Sequence, residues 1–117
     1  MAKNLIGENW VDASNGKVIE IYNPATNALI DTVPDTTKED CDQAVLAAIK
    51  GQKEWEKKPI HKRSKILMKF VSLVEEHSEE LAKLLSDETG KPITEAKAEI
   101  ANVSIGIPAF CEKAKHE

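Results

Sequence analysis

Ala28-Leu29-Ile30-Asp31-Thr32-Val33-Pro34-Asp35-Thr36-Thr37-Lys38-Glu39-Asp40-Cys41 is the stretch in which the chain changes period. Up to Val33, apolar and polar residues alternate around turn residues, the pattern of strands. From residue 35 onward the apolar residues recur with a period near 3.6, the pattern of helices. Pro34 has no N–H to give a ladder and ends the strand that starts at Ala28. Thr36-Thr37-Lys38-Glu39 fits a capping box, with the Thr36 hydroxyl accepting from the Glu39 amide and the Glu39 carboxylate reaching back to Thr36. The chain divides into a strand region, residues 1–34, and a helical region, residues 35–117.

Toward the amino terminus, Leu5-Ile6 and Trp10-Val11 flank Gly7-Glu8-Asn9, a connection short enough to turn an antiparallel pair. Asn15-Gly16 is a second turn signal, because both residues tolerate positive φ. Val18 to Tyr22 reads as a strand, and Asn23-Pro24-Ala25-Thr26-Asn27 as the turn that follows it, with Asn27 suited to a left-handed conformation.

Toward the carboxyl terminus, the first helix places Cys41, Ala44, Val45, Ala48, Gln52 and Trp55 on one stripe, and Gly51 weakens it by roughly 1 kcal/mol relative to Ala. A second helix starts at Pro59 with Ile66, Leu67, Phe70, Leu73, Val74 and His77 as its expected buried face. Ser78 bends or re-caps it before Leu81, Leu84 and Leu85, and Gly90 with Pro92 closes it. A last helix starts near Thr94, buries Ala96, Ile100, Val103, Ile107, Phe110 and Ala114, and is kinked by Pro108, which blocks the bond to the Ser104 carbonyl. Ala98, Ala101, Ser104 and Gly106 give that helix a second low-bulk side. Periodicity alone leaves open whether it is the centre of a small domain or faces a missing partner.

The 117 residues fit one domain. Hydrophobic residues at 41% suffice for a core, and an aromatic content of 4% makes that core aliphatic. The net charge of −4 is read as leaving no stretch rich in Lys and Arg, so neither nucleic acid nor a membrane surface is expected as partner. The opening Met1 to Gly7 has neither a signal-peptide nor a spanning pattern, and Cys41 and Cys111 are too few for a disulfide framework. The expected location is cytoplasmic.

Few residues suggest chemistry. Cys41 lies near a helix start, but its stripe position reads as a buried small hydrophobe, and Cys111 is read the same way. His61, His77 and His116 never stand at metal-ligand spacing. Gly90-Lys91 is similar to the end of a phosphate loop, yet Leu85 replaces the first glycine and Pro92 the hydroxyl residue. Glu75-Glu76 and Glu79-Glu80 read as a solvated helix face. No catalytic, cofactor-binding or metal residue follows from the residues themselves.

Taken in order, Ile6-Gly7-Glu8-Asn9-Trp10-Val11, Asn23-Pro24-Ala25-Thr26, Ile30 through Val33-Pro34, and Glu39-Asp40 with Ala44-Val45 and Ala47-Ala48 resemble the amino-terminal part of the NAD(P)-dependent aldehyde dehydrogenase superfamily. The resemblance continues through Trp55, Pro59, Arg63, Ile66-Leu67, Glu80-Leu81-Ala82, and Glu88-Thr89-Gly90-Lys91-Pro92 with Glu95-Ala96 and Glu99. Three departures stand out. Gly7-Glu8-Asn9 replaces the family's Asn-Gly-Glu, which threatens the hairpin; Asn27 replaces a turn glycine; and Pro108 sits inside a helix.

The resemblance implies an α/β family fold, of which this segment is the α+β part: an antiparallel strand pair or meander followed by three to four helices. It implies that residues 1–117 belong to the amino-terminal part of the dinucleotide-binding domain, without the catalytic and oligomerisation regions. The parent would oxidise an aldehyde to a carboxylic acid with NAD or NADP through a cysteine thiohemiacetal. Neither Cys41 nor Cys111 matches the nucleophile, so this chain is expected to be inactive scaffold that binds no cofactor itself. Arg63 is expected to hold carboxylates or carbonyls across a helix seam, and Trp55 to anchor the end of the first helix. By the same resemblance, the Tyr22 carbonyl and Glu99 are candidates for a monovalent-cation site. The expected partners are the remainder of the enzyme, another subunit, or a homo-oligomer formed through exposed apolar helix faces. The last helix loosely resembles those of succinate-semialdehyde and related small-aldehyde members. Two other readings remain: a non-catalytic interaction or oligomerisation module derived from the family, and a complete small α+β domain with few exposed apolar residues.

Overall fold

The computed structural model describes residues 1–116 and divides into two compact units, residues 1–57 and the residues from Lys58 onward. The first unit holds β1 (Asn4–Ile6), β2 (Asn9–Val11), β3 (Val18–Tyr22), β4 (Leu29–Pro34) and α1 (Lys38–Glu56). The strands form two separate antiparallel pairs, β1 with β2 and β3 with β4, and not one meander.

The β1–β2 hairpin turns on Gly7 and Glu8 and sets Leu5 opposite Trp10. Gly7 has φ +63° and Glu8 has no positive φ, which is the pattern of a II′ turn. Moving the glycine to the first turn position therefore preserves the hairpin that the departure from the family pattern seemed to threaten. Asn27 takes the left-handed role at φ 60°. Its loop is closed by the Asn23 side chain, which accepts from the Ala25 and Thr26 amides at 2.8 and 3.2 Å. At the Ala13–Gly16 turn only Gly16 uses a positive φ, 71°.

The cap of α1 corrects the expected one. Thr37, not Thr36, is the N-cap: its hydroxyl accepts from the Asp40 amide at 3.1 Å, and the Asp40 carboxylate accepts from the Thr37 amide at 3.1 Å. Asp40 also accepts from the Ser14 amide at 3.0 Å, while Thr36 is engaged by the Asn4 side-chain amide at 2.9 Å. These long-range partners choose between two threonines that local chemistry leaves equivalent.

The second unit holds α2 (Ile60–Glu76), α3 (Ser78–Thr89), α4 (Ile93–Ala101) and α5 (Val103–Ala114), so five helical segments appear among the described residues where three to four were expected. His77 separates α2 from α3, and Gly90 ends α3 at φ 74° as its composition foretold. The last helix breaks at Asn102, not at Pro108, which α5 carries inside itself. The carbonyl left without its Pro108 partner, that of Ser104, falls in the first turn of the restarted helix.

The packing of this unit differs from the expected stripes. α3 lies against α4, each supplying a fully buried alanine, Ala82 and Ala96. α2 lies against α5, where Val71 and Cys111 are buried. Ile66, Leu67, Phe70, Leu73 and His77, the greater part of the expected buried face of α2, are exposed, as is Phe110. The apolar residues of α2 cover two adjacent stripes, and α5 takes the one through Val71. Among the described residues only Ala13, Pro34, Val71, Ala82, Ala96 and Cys111 are buried, which contradicts the reading of a self-contained domain with few exposed apolar residues. Among the described residues no helix is long and apolar enough to cross a membrane.

Candidate functional site

The residues weighed for chemistry are distributed over both units. Cys41 is exposed, correcting the expectation that it is buried, whereas Cys111 is buried as expected. Both thiols are free. His77 faces Glu80 at 3.4 Å and His116 faces Glu112 at 3.5 Å, so each histidine meets a carboxylate of its own surroundings and neither orients a thiol. Lys115, with His116, holds the Glu112 carboxyl below its usual range.

Tyr22 stands at the end of β3 in the first unit, and its hydroxyl donates to the Glu20 carboxylate, which raises its pKa. Glu99 stands on α4 in the second unit and pairs with the Lys91 ammonium, whose pKa it raises with help from Glu95. The carboxylate proposed for a cation is thus already answered by a lysine. Among the described residues no three His, Cys, Asp or Glu side chains gather closely enough to hold a metal ion.

The Gly90-Lys91 corner is a helix exit. Gly90 donates its amide to the Ser86 carbonyl at 2.9 Å, and the Ser86 hydroxyl donates to the Lys91 carbonyl at 2.6 Å. Pro92 then offers its carbonyl to the Glu95 and Ala96 amides at 3.0 Å and starts α4. Arg63, expected to bridge a helix seam, has its Nε buried with no hydrogen-bond partner. Trp55 is half-buried near the end of α1, where an anchor was expected.

Both units contain concavities. In the second, a cleft of about 260 Å³ is lined by Val74, Glu75, Ser78, Glu79, Lys97 and Ile100, among others. In the first, a more polar hollow of about 640 Å³ lies between the β1–β2 turn and the Ala44, Ala47, Ala48 side of α1. A pyrophosphate at a helix start needs free amides and no negative charge. The first turns of α1, α3 and α4 carry Glu39 and Asp40, Glu79 and Glu80, and Glu95 respectively. The first turns of α2 and α5 carry no acid, and Ser104 of α5 lines the cleft of the second unit.

Sequence reasoning missed one charged feature. Residues 57–74 contain Lys57, Lys58, Lys62, Arg63, Lys65 and Lys69 with no Asp or Glu, so a basic stretch does exist, contrary to the reading of the overall balance. A window count would have found it, since the acidic residues that offset it lie elsewhere in the chain.

The family model for the aldehyde dehydrogenase family matches residues 10–117. The chain is 43% identical over 100 residues to a malonate-semialdehyde dehydrogenase of Bacillus pumilus, covering 86% of this chain and 21% of that protein. It therefore spans about a fifth of the length of the curated relatives it matches. Among solved structures it is similar to an NADP-dependent enzyme of E. coli, with a TM-score of 0.92 and 34% identity over 97% of this chain and 24% of that one. It is also similar to a betaine aldehyde dehydrogenase of Staphylococcus aureus in complex with NAD+, with a TM-score of 0.92 and 30% identity over 98% of this chain and 24% of that one. With a match over nearly the whole sequence and the same backbone in solved members, the chain belongs to the aldehyde dehydrogenase family.

Proposed function

We propose that this chain is the amino-terminal scaffold segment of an aldehyde dehydrogenase that oxidises a small semialdehyde to a carboxylic acid with NAD or NADP. It corresponds to strands and helices at the start of the dinucleotide-binding domain, and the catalytic cysteine and the cofactor contacts belong to other parts of the parent. The observation that carries this reading is the thin core. Among the described residues no large side chain is fully buried, while a family match over residues 10–117 accounts for only about a fifth of the relatives' length. Apolar faces on this scale mark surfaces that further polypeptide covers. The residues of the chain then position one another, and none acts on substrate. The semialdehyde class follows from the names of the curated relatives, and a reducing, cytoplasmic location suits two free thiols.

The test is turnover of the isolated 117-residue chain with malonate semialdehyde and with propanal, each with NAD and with NADP. No reduced cofactor above the blank is expected, and clear turnover would overturn the scaffold reading. Sequencing downstream of codon 117 gives a second check. An open frame carrying a cysteine and a Glu-Leu-Gly-Gly-Lys-like segment supports the reading, whereas a stop codon favours the non-catalytic interaction module.

A further inference from the structure

We propose that Asn15 is a deamidation site, whose reaction the surrounding turn holds back and whose isoaspartyl product releases the Ser14–Asp40 contact at the start of α1. This modification goes beyond the scaffold assignment and needs no residue of a parent enzyme. Asn15 alone among the asparagines precedes a glycine. Asn4, Asn9, Asn27 and Asn102 precede Leu5, Trp10, Ala28 and Val103, and Asn23 precedes Pro24. A side chain on the following residue crowds its amide nitrogen, and proline has no N–H to lose, whereas Gly16 leaves the nitrogen bare. Asn15 and Gly16 are both exposed, so water reaches the pair.

The reaction consumes only water. The Gly16 nitrogen attacks the Asn15 Cγ, the Cγ–Nδ2 bond breaks, and ammonia leaves with the proton that Gly16 gives up. Water then opens the resulting cyclic imide. Cleavage between the nitrogen and Cγ gives aspartate. Cleavage between the nitrogen and the main-chain carbonyl carbon of residue 15 gives isoaspartate, in which the backbone runs through Cβ and Cγ. Nothing is oxidised or reduced.

The native turn opposes the first bond. The Gly16 amide donates to the Ala13 carbonyl at 2.9 Å, which keeps its proton in place. Asn15 Oδ1 accepts from the Lys17 amide at 2.9 Å, which keeps the carboxamide from swinging over Gly16. Attack therefore waits for the turn to open locally. The product acts one residue upstream. Ser14 donates its amide to the Asp40 carboxylate at 3.0 Å, and its hydroxyl lies 3.1 Å from that of Thr37, the N-cap of α1. An isoaspartate lengthens the main chain by one carbon inside the turn that Ala13 and Gly16 close. Ser14 is then carried off Asp40 while the Lys17 carbonyl still accepts from the Asp35 amide.

The experiment ages the full chain at mildly alkaline pH, folded and in guanidinium chloride, and follows each asparagine by peptide mass mapping and isoaspartyl methyltransferase labelling. Asn15 should react before any other asparagine, and at least roughly tenfold faster unfolded than folded, because only the folded chain must first open the turn. Once separated, the isoaspartyl form should have a lower urea midpoint than the unreacted chain, and its Ser14 amide should exchange faster. Asn15→Asp, which adds the charge without lengthening the backbone, should stay closer to the parent, and Asn15→Gln aged alongside should keep its midpoint. Another asparagine reacting first overturns the proposal, as do equal rates in the folded and unfolded chain. An isoaspartyl form as stable as the unreacted chain, with Ser14 exchange unchanged, does so too. If the isoaspartyl form does not fold while aged Asn15→Gln does, the contact is lost as proposed.

Discussion

Asp40 shows how one side chain joins distant pieces of the first unit. The Ser14 amide first, and then the Thr37 amide, donate to its carboxylate and hold its pKa at about 2, against an ordinary value of 3.8. A carboxyl lowered on folding contributes stability that is complete above its unfolded pKa and is lost as pH falls through its folded one. The urea midpoint of the chain should therefore drop between about pH 4 and about pH 2, and this part of the slope should be missing in Asp40→Asn. Thr37→Ala should cost about 1 kcal/mol, whereas Thr36→Ala, whose hydroxyl caps nothing, should cost clearly less. An equal cost at both threonines, read from urea midpoints, would contradict the observed cap. The Thr36–Glu39 pattern was legible in the sequence, whereas the Thr37–Asp40 box that forms instead was not read there. What separated them was Ser14, which is distant along the chain and adjacent in space.

At the scale of elements, two glycines should respond to the same substitution with opposite sign. Gly51 lies inside α1, and a Cβ built there meets nothing within 4 Å, so Gly51→Ala should stabilise by roughly 0.5–1 kcal/mol. Gly90 ends α3 at φ 74°, so Gly90→Ala should destabilise by about 1 kcal/mol. Thermal melts of the two variants on either side of the parent's midpoint would bear this out. Where α3 meets α4 the limit is volume: Ala82 and Ala96 are fully buried, and Ala82→Leu should cost roughly 1–3 kcal/mol by overpacking. Helix boundaries at Gly90 and Pro92 were readable because each residue forbids continuation by its own geometry. The break at Asn102 was not, because the residue that signalled an interruption, Pro108, is carried inside α5 and no glycine or proline stands at Asn102 itself.

Over the whole molecule, the dominant fact is how much apolar surface stays open. Besides the open stripe of α2, Val45, Leu46 and Ile49 of α1 are exposed at 58, 59 and 49%. A hydrophobic-surface dye should therefore bind the native chain while its helix signal is intact. Val45→Lys together with Ile49→Lys should reduce that binding with less than about 0.5 kcal/mol change in stability, as for other surface substitutions. Dye binding unchanged by the pair would mean that α1 is not where the open surface lies. Sequence alone determined the division into strands and then helices, the turns at Gly7, Asn27 and Gly90, and the family, because these rest on local backbone chemistry and on the order of short motifs. Tertiary structure alone decided that β1–β2 and β3–β4 remain separate pairs, that Thr37 caps α1, and that Val71 and not Phe70 is the buried side of α2. Periodicity marks a stripe as apolar, but which stripe leaves water depends on the neighbour that arrives, and that neighbour is set by the rest of the fold.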